Sequence, residues 1–149
     1  MVAVSMLAKV PLFASLDRAD LENIAQTSHR LAFERFDLII QEDERDDRLF
    51  VILSGSAEVF KWYGKKRQRH LTDLEPGAYF GELSLFNNQV RSATVKAKTK
   101  MEVLCLPKVD LFNELRRRPE MAILLLQTLG RKLLSLEALL SHTLGGFVS

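Results

Sequence analysis

The sequence predicts a mainly β protein, a sandwich or jelly roll (double-stranded β-helix) with one helix before it and two helices after it. Between residues 29 and 106, short runs rich in β-branched and aromatic residues alternate with turn residues. A capped helical pattern precedes these runs, and two helical patterns rich in leucine follow them. With 149 residues, of which 47% are hydrophobic, the chain is long enough for one domain with a sizeable core.

The N-terminal helix is predicted from its cap. Asp17 is a residue type that favours the N-cap position, and Asp20 follows three residues later, as in a capping box. The apolar stripe that continues to about residue 28 consists of Leu21, Ile24 and Ala25. We therefore expect an amphipathic helix that begins after Asp17.

The strands are predicted from short apolar runs between turn signals. They lie at residues 31–33, 38–40, 49–53, 57–62, 67–74, 92–97 and 101–106. A charged, solvated turn separates the second run from the third. The single cysteine, Cys105, falls in the last run, so we expect it to be buried. One cysteine excludes a disulfide within the chain and any site that needs several cysteine ligands.

Two helices are predicted at the C-terminal end, at residues 109–117 and from Pro119 to about Thr143. The cations at 116–118 suit the C-terminal dipole of the first helix better than a nucleic-acid contact. A heptad-like seam on the second helix contains Leu125, Leu129, Leu133, Leu136, Leu140 and Thr143 or Leu144. A second apolar face contains Ile123, Leu126 and Leu134. We expect one face to cover the barrel and the other to form a symmetric homodimer; burial of the whole helix on its own barrel is the alternative.

The stretch from residue 76 to residue 95 carries the chemistry. Gly81 precedes a short helical segment whose first amide groups have no partner within the helix and are suited to an anion. Arg91 follows Glu82 by nine residues and offers a bidentate, charge-assisted contact to a phosphate. A carboxylate suits a hydroxyl beside that phosphate. A 3′,5′-cyclic nucleotide presents both groups, because its 2′-OH is the only free ribose hydroxyl.

The segments Phe-Gly-Glu-Leu-Ser-Leu (80–85) and Arg-Ser-Ala-Thr-Val (91–95) resemble the phosphate-binding cassette of cyclic nucleotide-binding domains. That family includes catabolite-activator-type transcription factors, kinase regulatory subunits and cyclic-nucleotide-gated channels. The resemblance implies that Glu82 holds the ribose 2′-OH and that Arg91 pairs with the cyclic phosphate. It further implies backbone roles or, for serine, hydroxyl contacts for Gly81, Leu83, Ser84, Ala93 and Ser92.

The same resemblance sets the expected domain limits and output. We expect one cyclic nucleotide-binding domain over residues 7–144, with the jelly roll at about 29–106 and the C-terminal helices at about 108–143. The implied role is that of a sensor or regulatory module within a transcriptional regulator or another signalling protein. No effector domain is predicted within the chain, and Gly145 and Gly146 are a plausible hinge to one. In the charged turn, Asp43 and Asp46 stand where the family usually has glycines.

The choice of base is the least defined part of the expected site. Catabolite-activator relatives place a Thr-Ser pair on the C-terminal helix against adenine. Counting from Arg91, the corresponding places hold Leu136 and Glu137, with Ser135 just before them. These three residues are the candidate lid over the base. A hydroxyl after the arginine, here Ser92, occurs in binders of both cAMP and cGMP, and cAMP is preferred as the commoner ligand.

Three readings remain open from sequence alone. Besides a nucleotide sensor, the chain could be a ligand-free dimerisation or interaction domain of the same fold, in which Glu82 and Arg91 merely pair with each other. The third reading is a haem or redox sensor, which the lone Cys105 disfavours. Isothermal titration with both nucleotides separates the first two readings, and an absorption spectrum addresses the third.

Other functional classes are not expected. No catalytic constellation is readable, so the chain is not expected to be an enzyme or to need a cofactor. His70 has no further ligands at metal-binding sequence spacing. The net charge of +2 demands neither nucleic acid nor an anionic membrane, and no apolar run approaches membrane-spanning length. We expect a cytoplasmic protein whose partners are a cyclic nucleotide and a second copy of itself.

Overall fold

The computed structural model describes residues 3–86 and 90–144, with side chains as far as residue 141. The helices are α1 (Val4–Leu7), a 3₁₀ helix (Pro11–Phe13), α2 (Arg18–Thr27), α3 (Glu82–Phe86), α4 (Lys108–Arg117) and α5 (Pro119–Leu144). The strands are β1 (His29–Phe33), β2 (Leu38–Ile40), β3 (Arg48–Ser54), β4 (Ala57–Lys61), β5 (Arg69–Leu74), β6 (Tyr79–Phe80), β7 (Thr94–Ala97) and β8 (Met101–Pro107). The predicted hinge at Gly145 and Gly146 lies outside the described residues, as do residues 87–89 of the cassette and the side chains of Thr143 and Leu144.

The eight strands form two four-stranded antiparallel sheets, in the orders β1-β8-β3-β6 and β2-β7-β4-β5. This arrangement confirms the predicted mainly β fold with an N-terminal helix and two C-terminal helices. Strand β6 was not predicted, because two residues are too few to show an alternating pattern. Strands β5 and β7 begin two residues later than expected, at Arg69 and Thr94. The residues left out of β7 belong to the cassette.

The central strand β3 explains why its apolar run is unbroken. Leu49 and Val51 face a core that β3 and β8 share with the helices, whereas Phe50 and Ile52 face the second sheet. Side chains alternate between the two faces of a strand, so burial on both faces requires apolar residues at consecutive positions. The neighbouring strand β8 follows the same rule, and Cys105 is buried between the sheets, as predicted.

The N-terminal helices close one side of the sandwich. The predicted capping box is present: the Asp17 side chain accepts from the Asp20 N–H at 2.9 Å, and the Asp20 side chain accepts from the Asp17 N–H. Helix α1 and the 3₁₀ helix were not predicted as helices. They bury Leu7 and Phe13 in the core beneath α2.

Two arginines at the end of α4 form ion pairs with carboxylates of the α2 N-terminus. Arg117 lies in the last turn of α4, as the dipole argument predicts, and its Nη2 is 3.0 Å from the buried Asp20 carboxylate. Arg118 pairs with Asp17 at 2.9 Å and also with Asp20. These contacts fasten α4 to α2, so the two guanidinium groups already have anionic partners within the chain.

Helix α5 leaves the barrel part-way along its length. Met121 and Leu125 are buried against the core, but most leucines that follow them on α5 are exposed, and Leu129 and Leu140 are half-buried. The described part of α5 therefore excludes the expectation that the whole helix is buried on its own barrel. The exposed large apolar residues on α5 are Ile123, Leu126, Leu133, Leu134, Leu136 and Leu139. Across the described residues, no helix combines the length and the apolar character needed to cross a membrane.

Candidate nucleotide site

The cassette begins at Gly81, between β6 and α3, and only glycine fits this position. Its φ of +89° lies in the left-handed region that side chains disfavour. A Cβ here would also lie 2.5 Å from Nη1 of Arg91 and 2.9 Å from the Arg48 carbonyl oxygen. Gly81 therefore makes the space in which the Arg91 guanidinium sits.

Arg91 is one of the largest fully buried side chains among the described residues, with 2% of its surface exposed. Its Nη1 donates to Ser84 Oγ at 2.7 Å and to the Gly81 carbonyl at 3.1 Å. Its Nη2 donates to the Arg48 carbonyl at 2.8 Å and lies 3.2 Å from Asp46 Oδ2. These contacts fix the orientation of the guanidinium from β3, α3 and the β2–β3 turn.

One donor of this guanidinium remains without a partner. Nε of Arg91 is buried and makes no hydrogen bond within the described part of the chain. A buried donor left unpaired costs about 1–3 kcal/mol, and more when the group is charged. Arg91 also lines a cavity, so a ligand bound there would lie beside this guanidinium.

Glu82 begins α3 and lies in the same cavity wall, with 5% of its surface exposed. Its Oε1 accepts a hydrogen bond from Lys132 Nζ on α5 at 2.7 Å. The Lys132 ammonium also lies 5.8 Å from the centre of the Tyr79 ring, within cation–π range. Helix α5 is thus attached directly to the cassette carboxylate.

The cavity has a volume of about 350 Å³, within the usual range for small-molecule sites. Its polar lining includes Arg91, Glu82, Ser84 and Ser92, and the rest of its wall is mostly apolar. That apolar wall consists of Ile40, Val59, Leu71, Leu74, Leu83 and Val95. The cavity therefore offers a ligand a cation, a carboxylate and an apolar surface.

The β2–β3 turn supports the cation from behind. Asp43 adopts a left-handed backbone with φ of 74°, so the turn keeps the conformation that a glycine would take. Burial raises the pKa of Asp46, but hydrogen bonds from Arg48 and Arg91 and their positive charges outweigh it and lower that pKa to about 2. Asp46 is therefore a permanent anion beside Arg91 at neutral pH.

Comparison with known proteins identifies the family and the fold. The family model described as "Cyclic nucleotide-binding domain" matches residues 30–118, more than half of the chain. The chain belongs to the cyclic nucleotide-binding domain family. It is 33% identical over 104 residues to a cAMP-dependent protein kinase regulatory subunit of Blastocladiella emersonii, covering 70% of this chain and 26% of that protein.

Solved structures of this family share the domain. The crystal structure of Thermus thermophilus catabolite activator protein superimposes with a TM-score of 0.80 and 28% identity, covering 89% of this chain and 62% of that one. A regulatory subunit of a cAMP-independent protein kinase A from Trypanosoma cruzi, bound to guanosine, gives 0.65 and 26% identity, covering 70% and 37%. The chain thus spans only part of these relatives, and the relatives are regulatory proteins rather than catalytic ones.

The cyclic nucleotide-binding domain brings together all seven residues that the cassette resemblance predicted. Gly81, Glu82, Leu83, Ser84, Arg91, Ser92 and Ala93 line one cavity. Glu82 and Arg91 do not pair with each other; each has other partners. The three candidate lid residues, Ser135, Leu136 and Glu137, are not part of the cavity lining, and Leu136 is 53% exposed. Their role as a lid stays a prediction.

Two important residues of the site were not found by sequence reasoning. Lys132 lies 50 residues after Glu82, and Asp46 lies 45 residues before Arg91. No local pattern marks either residue, because each reaches the cassette only through the tertiary fold. Each offers a charge opposite to that of its cassette partner, and Asp46 stands out in the sequence only because it occupies a place where the family usually has a glycine.

A possible metal-binding group lies on the outer face of the sheet. The strand pairing of β4 with β5 brings Glu58, His70 and Asp73 together, with ligand atoms within 4.8 Å of one another. Sequence spacing gave no hint of this group, which depends on strand register. His70 Nε2 is 2.7 Å from Asp73, and Lys98 lies 3.2 Å from the same carboxylate. Asp73 is thus already neutralised within the chain.

The depressed pKa of Asp46 predicts a specific acid sensitivity. This charged carboxylate contributes about 2 kcal/mol to the free energy of unfolding above about pH 4. The contribution is lost as the pH falls towards 2, because the carboxylate becomes protonated in the folded state as well. Asp46→Asn should therefore be less stable than wild type at pH 7. This difference in the free energy of unfolding, measured by urea denaturation, should shrink between pH 4 and pH 2. Asp47→Asn is the control, and a difference for Asp46→Asn that does not change with pH would contradict the prediction.

Proposed function

We propose that this domain binds a 3′,5′-cyclic nucleotide in the cavity at the cassette and acts as a sensor. Arg91 pairs with the cyclic phosphate and Glu82 accepts from the ribose 2′-OH. The observation that carries the proposal is that Arg91, whose buried Nε donor has no partner among the described residues, lines the same cavity as Glu82. An anionic oxygen satisfies such a donor through a short, charge-assisted hydrogen bond.

The rest of the cassette completes the cradle. Gly81, Leu83, Ser84 and Ala93 serve through their backbone, and Ser92 adds its hydroxyl. All of them line the cavity that holds Arg91 and Glu82. The Ser84 side chain also accepts from Nη1 of Arg91, so it holds the cation in place while the phosphate binds.

The apolar wall favours cAMP over cGMP. Guanine presents more hydrogen-bonding groups than adenine at its base edge, and burying them without partners is costly. Of the described residues that line the cavity, Leu71, Leu74 and Val59 are apolar, and Glu82, the one acidic residue among them, is assigned to the ribose. The kinase regulatory relative named above is described as cAMP-dependent, which supports the same choice.

The charge of the cavity also favours a nucleotide over a nucleoside. One relative is described as bound to guanosine, which has no phosphate. In this chain an uncharged nucleoside would leave Nε of Arg91 buried without a partner. We therefore expect cAMP to bind more tightly than adenosine.

Arg91→Ala should remove charge-assisted bonds to the phosphate costing about 3 kcal/mol, or roughly 100-fold in affinity for cAMP. Glu82→Ala should cost about tenfold to 100-fold, because a hydroxyl donor loses one acceptor. Isothermal titration with cAMP and cGMP measures both effects. Arg91→Lys keeps a buried cation if the alanine variant does not fold.

Arg18→Ala removes an exposed ion pair with Glu22 and is the matched control. Equal affinities in wild type and Arg91→Ala would exclude this site. No binding of either nucleotide to wild type would favour the second candidate function given below.

We further propose that the ligand acts on α5 through Glu82. Lys132 holds α5 to the cassette by its 2.7 Å contact with Glu82. A ribose hydroxyl that bonds to Glu82 competes with this ammonium, so ligand binding changes where α5 rests. Ser135, Leu136 and Glu137 lie on the next turn of α5, and a shift of the helix towards the cavity would bring them over the base.

Lys132→Gln should uncouple α5 from the ligand. Hydrogen exchange of the amides in residues 126–139 should respond to cAMP in wild type, because the helix changes its contacts. The response should be much smaller in Lys132→Gln, which starts without the ion pair. Arg131→Gln, one residue earlier on the helix, is the control. The same ligand-dependent change in wild type and Lys132→Gln would refute this coupling.

The exposed apolar side of α5 supports a homodimer. Leu133 and Leu136 are 64% and 53% exposed, and both belong to the predicted seam. Large apolar residues grouped on one helix surface mark an interaction site, and a symmetric dimer covers the same surface in both copies. Movement of α5 would then pass from the nucleotide to the dimer interface.

A double substitution tests the dimer. Leu133→Glu with Leu136→Glu should convert the dimer to a monomer in sedimentation velocity, because burying four carboxylates per dimer without partners is costly. Val109→Glu, which adds a carboxylate at an exposed position of α4, is the control. A wild-type chain that is monomeric at every concentration would refute the dimer.

A second candidate function is a ligand-free interaction domain of the same fold. The observation in its favour is that Glu82 already has a partner in Lys132, and that both terminal nitrogens of Arg91 are bonded within the chain. Under this reading the exposed side of α5 is the functional surface. The unpaired Nε of Arg91 favours the nucleotide sensor instead.

The proposed setting is a cytoplasmic transcriptional regulator or another signalling protein. The relatives that carry this domain are longer than the chain, which spans about a quarter of the kinase regulatory subunit. The output therefore depends on whatever the domain is joined to or binds. The described segment itself is not expected to contact nucleic acid, because Arg117 and Arg118 are occupied by carboxylates of α2.

A further inference from the structure

The exit of the cassette is held from outside the cavity by a lysine. Nζ of Lys61, at the end of β4, donates to the carbonyl oxygen of Ser92 at 2.8 Å. Ser92 and Ala93 line the cavity, whereas Lys61 does not. The lysine therefore contacts the cassette backbone without being part of the cavity wall.

Glu42 holds this lysine in place. Glu42 Oε2 is 2.9 Å from Lys61 Nζ, and Glu42 Oε1 accepts from the Trp62 N–H at 2.9 Å. The Glu42 side chain is 14% exposed and that of Lys61 is 33% exposed, so solvent screens the pair only in part. Both carboxylate oxygens are used, which leaves the ammonium little freedom to turn away from Ser92.

The geometry of the peptide unit gives this contact a consequence inside the cavity. The peptide between Ser92 and Ala93 is trans, since the chain has no cis peptide bonds among the described residues. In a planar trans peptide the C=O and the following N–H point in opposite directions. A carbonyl of Ser92 that is directed at Lys61 therefore directs the Ala93 N–H away from Lys61.

The frame around this peptide is rigid. The Asp43 N–H donates to the Arg91 carbonyl and the Arg91 N–H donates to the Glu44 carbonyl, both at 2.9 Å. The Glu42 N–H donates to Thr94 Oγ1 at 3.0 Å. The β2–β3 turn is thus hydrogen-bonded to the cassette on both sides of Ser92. Between these two points, the Ser92 carbonyl accepts its hydrogen bond from Lys61.

We propose that Lys61 and Glu42 are positioning residues for the phosphate, acting through the Ser92–Ala93 peptide. The lysine fixes the carbonyl on the outer side, and the Ala93 N–H is thereby presented to the phosphate oxygen beside Arg91. The pair sets the affinity for the ligand without touching it. This inference rests on the proposed function, since it concerns the same cavity.

Three variants test the inference by isothermal titration with cAMP. Lys61→Met should weaken binding about tenfold, because the peptide loses its outer hydrogen bond and the Ala93 N–H its fixed direction. Glu42→Gln should weaken binding severalfold, since the ammonium loses its anchor. The double variant Lys61→Met with Glu42→Gln should be as weak as Lys61→Met alone.

A purely electrostatic effect gives the opposite pattern. Removing the negative charge of Glu42 would strengthen the binding of an anionic ligand, and the double variant, with its net charge restored, would bind like wild type. Lys98→Met removes another lysine–carboxylate pair, that with Asp73, and is the matched control, with no change in affinity expected. The shift of the Ala93 amide proton on addition of cAMP, large in wild type, should be reduced in Lys61→Met.

The outcomes distinguish a failure of this inference from a failure of the proposed function. Tighter binding by Glu42→Gln, or wild-type affinity in the double variant or in Lys61→Met, would overturn the inference while leaving the proposed function intact. A lower melting temperature of Lys61→Met with unchanged affinity would show a structural role only and would also overturn it. Failure of wild type to bind cAMP or cGMP would refute the proposed function, and the inference with it.

Discussion

The site depends on the burial of one guanidinium. Arg91 is almost wholly removed from solvent, and a buried cation is tolerated only where partners surround it. Its partners come from four places: the Gly81 carbonyl, the Ser84 hydroxyl, the Arg48 carbonyl and the Asp46 carboxylate. These segments meet only when both sheets are formed, so the correct placement of the cation is a property of the whole fold.

The same constraint connects the fold to the proposed signal. Asp46 holds the cation from one side, while the other cassette side chain, Glu82, is bonded to Lys132 of helix α5. In the proposed complex the phosphate would meet a guanidinium that is held on several sides, and the ribose would meet a carboxylate that is shared with α5. A regulatory domain needs this combination, because a ligand shifts a conformational equilibrium only through contacts that differ between the two states.

The sequence predicts this molecule well where function and fold are encoded locally. The apolar run of β3, the capping box at Asp17 and the Gly81–Glu82 segment are each readable over a few residues. What sequence alone does not show depends on register and on distant pairing. Strand β6 is too short for a pattern, Lys132 reaches Glu82 only through the path of α5, and the grouping of Glu58 with His70 and Asp73 follows from the β4–β5 pairing.

Nuclear magnetic resonance of the arginine side chains tests the central claim most directly. In protein labelled with ¹⁵N, the Nε–H signal that is missing from the Arg91→Lys spectrum belongs to Arg91. We predict that this signal moves strongly downfield on addition of cAMP, because the unpaired donor gains a charged acceptor, and that adenosine leaves it nearly unchanged. An Arg91 Nε–H signal that stays in place when cAMP is bound would contradict the account, since the phosphate would then lie elsewhere.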